Sequence, residues 1–397
     1  MASKPGYFAA VAAIVVLFLA ASSAPTPLYV VYQQMWGFTP TVLTVVFAIY
    51  VFGLLASLLI IGALSDHVGR RPVLAAAIAL EIVALVLFLV AGDVVVLSVA
   101  RLLQGVATGA AITTLGAALV DLEPEHAPGR AGLVNSVAPT AGLALGALVC
   151  GALVEFAPAP THLVFALLLG GMVLAAVAVA FLPETGTRRP GALASLRPVV
   201  GVPARLRADV VPIMPILVAS WALGGLYLSL GPSVVAGLFG VRNHLVAGFV
   251  VMLLSGTGAV TAFLLRRRSA ASLLAPAAGL LGIGALVSLV GVTAHLPALA
   301  IVGTLVAGVG FGAAALATFG TFARIAAPHE RGGLLAFALT IAYLSFSLPA
   351  VVAGFASTAF GLRATAEVYA VVIVGLTVVA LVMRLTRVRA ERARVPA

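Results

Sequence analysis

Few residues in this sequence have chemistry to offer, and two of them sit in unusual company. Glu81 and Arg101 lie inside long apolar runs. An ionised side chain there is costly and is placed against a partner or a cavity. The runs holding them meet at a short hairpin, Gly92-Asp93. At 1.5 Å per helical residue, Glu81 lies about 16 Å and Arg101 about 12 Å from that turn. A long arginine spans the difference, so the two are expected to form a buried pair that serves proton coupling, because a carboxylate's proton affinity depends on whether it is paired. Two blander readings stand beside this one. Glu81 could be permanently protonated or structurally paired, and Arg101 could snorkel to an interface.

The elements that must position these residues follow from composition. The chain has 397 residues, 63% hydrophobic and 9% charged, against about 25% charged in soluble domains. Such an apolar excess has to face lipid. Breaks at charged, Pro and Gly clusters delimit twelve spans, near 7–30, 39–64, 72–91, 94–121, 130–156, 161–182, 210–239, 244–265, 270–291, 296–325, 331–358 and 364–386. The N-terminus resembles a signal peptide at Ala21-Ser-Ser-Ala24, but its apolar stretch is long enough to span and is read as an uncleaved first helix.

Nearly all Arg and Lys fall on alternate connections, from Lys4, Arg70 and Arg71 through Arg188, Arg205 and Arg266 to the tail at Arg387–Arg394; the other side holds Arg242 and Arg363. This skew predicts cytoplasmic termini and an even number of spans. The net charge of +10 is therefore read as topology signal and lipid contact, not as a nucleic-acid surface. Domains are expected at 1–182 and 210–386, with a linker at 183–209 and a basic tail at 387–397. A repeat supports two halves: Gly105-Val-Ala-Thr-Gly109-Ala-Ala parallels Gly308-Val-Gly-Phe-Gly312-Ala-Ala, and Pro124–Arg130 parallels Pro328–Arg331 at a nearly equal offset.

The most specific motif is Gly62-Ala-Leu-Ser-Asp66-His-Val-Gly69-Arg70-Arg71-Pro72. Its glycines allow a tight turn, Asp66 can cap a helix start, and Arg70 can grip a carboxylate such as Asp121. The loop resembles the signature loop of the major facilitator superfamily, and the chain is identified on it as a member. The resemblance implies an all-α membrane protein of twelve transmembrane helices in two pseudo-symmetric six-helix bundles. It also implies a conformational latch of Gly62, Asp66, Gly69, Arg70, Arg71 and Asp121, with Asp66 docking near Gly332. Arg101 to Gly105 resembles a second family motif, linked with proton coupling. Pro139, Gly142 and Gly146 resemble the helix-five signature of drug:proton antiporters. Ala138 replaces its first glycine and the doubled glycine is incomplete, so plain small-residue packing stands as the alternative.

The same resemblance implies a cavity lined by spans one, four, seven and ten. The candidate substrate contacts are Ser23, Thr26, Tyr29, Tyr50, Thr108, Asn135, Trp221, Tyr227 and Tyr343, with Ser22, Thr113, Thr114, Thr140, Ser220, Ser229 and Ser347 beside them. Hydroxyls and aromatics on apolar walls suit an amphipathic or neutral small molecule. The bland alternative is that each Ser or Thr bonds its own helix.

The expected function is a secondary transporter of a bacterial inner membrane, a monomer exporting small amphipathic compounds against protons. A carrier of a sugar-like or other neutral metabolite is the alternative, and a sensor or scaffold the reading from another class. The six histidines lack metal-ligand spacing, and no Gly-x-x-x-x-Gly-Lys loop is present. No metal, cofactor or nucleic-acid partner is expected. An enzyme is disfavoured because no nucleophile–base cluster lies in or beside the spans, and Cys150 is read as a packing residue.

Overall fold

The computed structural model describes residues 4–186, 189–327 and 329–393, with side chains to residue 387. Arg188, Pro328 and Arg394 lie outside the described residues, as do the side chains of Arg389 and Arg392. The described residues are helical and contain no strand. Twelve helical stretches are long and apolar enough to span a membrane: α1 Lys4–Trp36, α2 Pro40–Ile61, α3 Arg70–Leu89, α4 Val94–Asp121, α5 Arg130–Phe156, α6 Leu163–Phe181, α7 Ala204–Ser229, α8 His244–Leu265, α9 Ala270–Thr293, α10 Pro297–Ile325, α11 Arg331–Phe360 and α12 Leu362–Arg387. Large apolar side chains such as Val83, Leu174 and Val352 point outward from them, as a lipid-facing belt requires.

Local sequence chemistry sets several helix starts. Asp93 accepts from the N–H groups of Val95 and Val96 at 2.8 and 2.9 Å. Asn243 caps α8 through Val246 N–H at 3.1 Å. Such side chains satisfy the orphan donors of a first helical turn. Two spans run longer than expected and are broken. The first breaks at Ala24 ahead of Pro25, and the seventh at Leu230 ahead of Gly231-Pro232, after which Gly231–Phe239 resumes. Proline lacks an N–H and clashes with the preceding turn. Each broken helix ends on a glycine at φ near +67°, Gly37 at 67° and Gly240 at 66°. The seventh span also starts at Ala204, inside the stretch expected to be linker.

The repeat has a packing meaning. A side chain at Gly105 would strike the Tyr50 carbonyl and one at Gly109 the Leu54 carbonyl, so α4 lies directly on α2. A side chain at Gly312 would strike Gly258, and one at Gly308 would meet Thr257 at 2.8 Å, so α10 lies equally close to α8. Each motif seats the fourth helix of a half on its second. Close approach of this kind is how helices associate where lipid offers no hydrophobic gradient.

The halves meet along two seams, α2 with α11 and α5 with α8. Thr41 and Thr358 hydroxyls lie 2.9 Å apart, and the Phe47 and Phe346 rings have centroids 5.3 Å apart. Gly248 is pressed on the Ala147 carbonyl. Glu155 accepts from the backbone N–H of His244 at 2.9 Å and lies 3.1 Å from its Nδ1. Thr26 of α1 donates to the Leu228 carbonyl at 3.0 Å. All these contacts lie between the middle of the spans and their ends on the face away from the termini. On the termini face a side chain at Gly332 would meet nothing within 4 Å. This conformation is closed on the far face.

Gly248→Leu is expected to open that closure. Overpacking costs about 1–3 kcal/mol, which shifts the closed-to-open ratio by roughly 5- to 150-fold. Spin labels at Gln34 and Arg242, on opposite halves of the far face, should show a longer distance; an unchanged distance would contradict the seam.

Candidate functional site

The polar centre of the amino-terminal half starts from a broken helix. Pro25 cannot donate to the Ala21 carbonyl, so the end of the first segment of α1 has acceptors to spare. α4 supplies donors. Gln104 Nε2 donates to Ala21 O at 3.1 Å and Arg101 Nη1 to Ser22 O at 3.0 Å. Arg101 also donates to Gln104 Oε1 at 2.7 Å, and Gln104 Nε2 donates to Glu81 Oε1 at 3.0 Å. A guanidinium has no acceptor, so it fixes the Gln104 carbonyl toward itself and turns the amide NH2 toward Glu81. The expected direct Glu81–Arg101 pair is therefore corrected to a relay bridged by Gln104. The three side chains are 0–1% exposed. Glu81 Oε2 and Arg101 Nε have no partner among the described residues.

This relay adjoins a wall of hydroxyls. The Arg101 guanidinium sits 4.2 Å from the centre of the Tyr50 ring. Tyr50 donates to Ser22 Oγ at 2.8 Å, Ser22 donates to Phe18 O at 2.8 Å, and Thr108 donates to Gln104 O at 2.8 Å. Across the molecule stands an aromatic wall. Trp221 packs edge-on against Tyr343 at 5.0 Å, Phe346 at 5.8 Å and Phe319 at 6.2 Å. Spans two, four, seven and eleven thus bring Tyr50, Thr108, Trp221 and Tyr343 into one central region.

Other expected contacts lie elsewhere. Ser23 bonds Ala20 O at 3.2 Å and faces Gly146 of α5. Thr26 is spent on the far-face closure. The Tyr29 hydroxyl is buried without a partner among the described residues. Asn135 is exposed and donates to Gly116 O at 3.3 Å. Tyr227 bonds Thr304 at 2.8 Å and lines an apolar cavity inside the carboxy-terminal half. Thr113, Thr114, Thr140, Ser220, Ser229 and Ser347 donate to carbonyls of their own helices. In an apolar medium that is the nearest available acceptor. Pro139 lies within α5, and Gly142 and Gly146 fit against Val16 and Ala20 of α1.

The signature loop gathers a second polar centre on the termini face. Arg70 Nε donates to Asp121 Oδ2 at 3.2 Å, Nη1 to Ser65 Oγ at 2.7 Å, and the same group bonds Asp66. Arg71 donates to Ala180 O at 2.7 Å. Gly62 closes α2, and Gly69 adopts φ +106°, a conformation open to glycine. Asp66 does not reach α11 in this conformation; it is held by Arg70 of its own loop. Nor does Asp66 cap the next helix. Glu184, from the connection after α6, does so, accepting from Arg70 N–H at 2.7 Å and Arg71 N–H at 3.2 Å. Burial raises the Glu184 pKa, but amide bonds from Gly186, Arg70 and Arg71 outweigh it and hold the carboxyl below its usual range.

Sequence reasoning assigned no role to Gln104 or Glu184. Gln104 carried a signal: it shares a helical stripe with Arg101 and Thr108. Glu184 carried a weaker one, an acid in the Pro183-Glu-Thr-Gly186 turn directly after an apolar run.

A model of the Major Facilitator Superfamily matches residues 11–315. The chain belongs to this superfamily. Family and fold make it a membrane transporter. A stretch of 111 residues, 28% of the chain, is 34% identical to the MFS-type transporter paaT of Penicillium rubens and covers 20% of that relative's length. The fold is similar to that of a bacterial homologue of the human lysosomal transporter Spinster in an inward-facing, unoccupied conformation, with TM-score 0.76 and 14% identity over 97% of this chain and 98% of that one. It is similar to the nucleoside transporter NupG, with TM-score 0.73 and 11% identity over 95% and 99%. The human organic anion transporter MFSD10 follows at TM-score 0.66 and 17% identity over 96% and 100%. Identities this low speak to the shared superfamily fold and not to cargo.

Two measurements check the geometry. Gln104→Leu removes the bridge between buried Glu81 and Arg101 and should cost about 2–4 kcal/mol of stability, read by unfolding of the purified transporter; a neutral variant would remove the relay from the fold's essentials. Glu184→Gln should lose about 1 kcal/mol of capping. Because the folded pKa of Glu184 is lowered, its contribution is present at neutral pH and is lost as pH falls through that pKa. The difference between wild type and variant should therefore shrink in acid, and a difference that grew in acid would reverse the assignment.

Proposed function

We propose that this superfamily member is a secondary active transporter exporting small amphipathic compounds in exchange for protons by alternating access. The observation that carries the reading is the buried relay Glu81–Gln104–Arg101 beside the central hydroxyl wall. Glu81 is the acid placed deepest within a span, and its Oε2 is unpartnered among the described residues. That oxygen can take a proton without breaking a bond. Loss of the proton leaves a carboxylate one amide away from Arg101, so the charge state of Glu81 is felt at Arg101, Ser22 and Tyr50. A rearrangement of α1 against α4, which carries the Ala21 and Ser22 carbonyls, would change the partners available to both charges. The aromatic wall of Trp221, Tyr343 and Phe346 against these hydroxyls suits a molecule with one apolar and one polar side.

In this reading the bodies that rock are residues 1–182 and 210–386, joined by the 183–209 connection, with the 387–397 tail outside them. The arginine skew puts the termini face in the cytoplasm of a bacterial inner membrane, and the transporter works as a monomer. The latch residues Gly62, Asp66, Gly69, Arg70, Arg71 and Asp121 stabilise one conformation of that face. The Pro139, Gly142 and Gly146 stripe lets α5 slide on α1.

The test uses proteoliposomes with an imposed pH gradient and a panel of dyes, drugs and sugars. Proton movement opposite to an amphipathic substrate is expected in wild type. Glu81→Gln should cut gradient-driven transport at least about 10-fold, the scale of one tenfold step in a coupled equilibrium, while sparing gradient-independent exchange. Full gradient-driven transport by this variant would remove Glu81 from coupling, and transport indifferent to the gradient would overturn antiport.

A further inference from the structure

A polar cavity lies far from the relay, on the termini face of the carboxy-terminal half. It measures about 260 Å³ and is bounded by α7, α9, α10 and α12. Its chemistry is basic. Arg324 projects from the end of α10, and Arg384 and Arg387 from α12 just past its apolar run. Ala380, Arg384 and Arg387 follow an i, i+4, i+7 spacing, which sets them on one helix face. The acid at the cavity is Asp209, and it bonds Arg387, which also donates to Ala208 O at 3.2 Å. Arg324 and Arg384 make no side-chain hydrogen bond or ion pair among the described residues. Thr321 turns its hydroxyl proton to Ala317 O at 2.6 Å. The cavity therefore presents cationic donors in excess of acceptors. Its remaining walls, Ile213, Ile216 and Leu274, are apolar.

We infer that this cavity binds a phosphate-bearing anion, the headgroup of an anionic phospholipid, with Arg324 and Arg384 as its ligands. Guanidinium forks match phosphate oxygens in bidentate geometry. The depth fits: Arg324 precedes the last residue of α10 and Arg384 directly follows the apolar run of α12 that ends at Met383, the level at which a bilayer carries its phosphates. Basic pockets between spanning helices at this level take anionic headgroups. The apolar walls can receive the glycerol and first methylenes. Val382 and Leu385, beside Arg384, are 53% and 55% exposed, so the site adjoins the lipid-facing surface. Occupancy would tie α10 to α12 within the carboxy-terminal half, away from the seams at which the halves separate. The inference rests on the twelve-span fold and is independent of what the transporter carries.

The experiment uses the full chain in detergent. Retention of dioctanoyl phosphatidylglycerol, dioctanoyl phosphatidylcholine and glycerol phosphate is measured by native mass spectrometry. Wild type should prefer phosphatidylglycerol over phosphatidylcholine. The Arg324→Gln/Arg384→Gln variant should hold it roughly 20- to 30-fold more weakly, given about 1 kcal/mol per arginine. The Arg267→Gln/Arg268→Gln variant, which removes equal charge from an exposed loop, should bind as wild type. Binding of glycerol phosphate through the same arginines as tightly as the lipid would keep the phosphate chemistry and move its source to solution. Equal retention of the two lipids by wild type, which needs no variant to fold, overturns the proposal. So does phosphatidylglycerol binding that is unchanged in the pocket variant or equally weakened in the loop variant.

Discussion

A positive charge has to be satisfied in the middle of an apolar bundle, and much of the amino-terminal half follows from how that is done. Arg101 is 1% exposed, and an unmatched guanidinium at that depth would cost several kcal/mol. The fold does not meet this cost with a directly bonded carboxylate. It uses a helix interrupted by Pro25, whose free carbonyls accept from Arg101 and Gln104, together with a glutamine that passes the interaction on to Glu81. The interruption of α1 is thus part of the electrostatics. A continuous first helix would hold its carbonyls in its own ladder and leave α4 without acceptors.

The same economy shows in the seams. With lipid outside and apolar side chains inside, hydrophobicity cannot choose which helices touch. Small residues do. Gly105 and Gly109 seat α4 on α2, Gly142 and Gly146 seat α5 on α1, and Gly151 with Gly248 seats α5 on α8. The first two contacts lie within a half, and the third lies between halves. α5 therefore belongs to both the fixed packing of one bundle and the separable boundary with the other. The Glu155–His244 contact adds polar specificity at the boundary, where the chain leaves the apolar core.

On the termini face, charge takes over from packing. The signature loop, the end of α4 and the connection after α6 converge through Arg70, Asp121 and Glu184. That connection is therefore more than a tether: its Glu184 caps α3, and its Gly201 N–H bonds the Gly333 carbonyl of α11 at 3.3 Å.

Composition and charge spacing alone determined the all-helical, twelve-span architecture, because apolar length and alternating arginines are local properties that a bilayer reads directly. Span limits such as 94–121, 130–156 and 244–265 coincide with the helices for that reason. The internal repeat was legible too, since each half must seat its fourth helix on its second. Depth along each helix correctly placed Glu81 near Arg101. What only the tertiary structure decided was which groups meet. Gln104 enters between Glu81 and Arg101 because the broken end of α1 draws it there, and Glu184 displaces Asp66 as a cap because the 183–186 turn folds back onto Gly69. Tyr227 turns into its own bundle and Ser23 toward α5, while Trp221 and Tyr343 meet across helices. Rotation about a helix axis is set by neighbouring helices, and a sequence apolar on all sides carries little periodic signal to fix it.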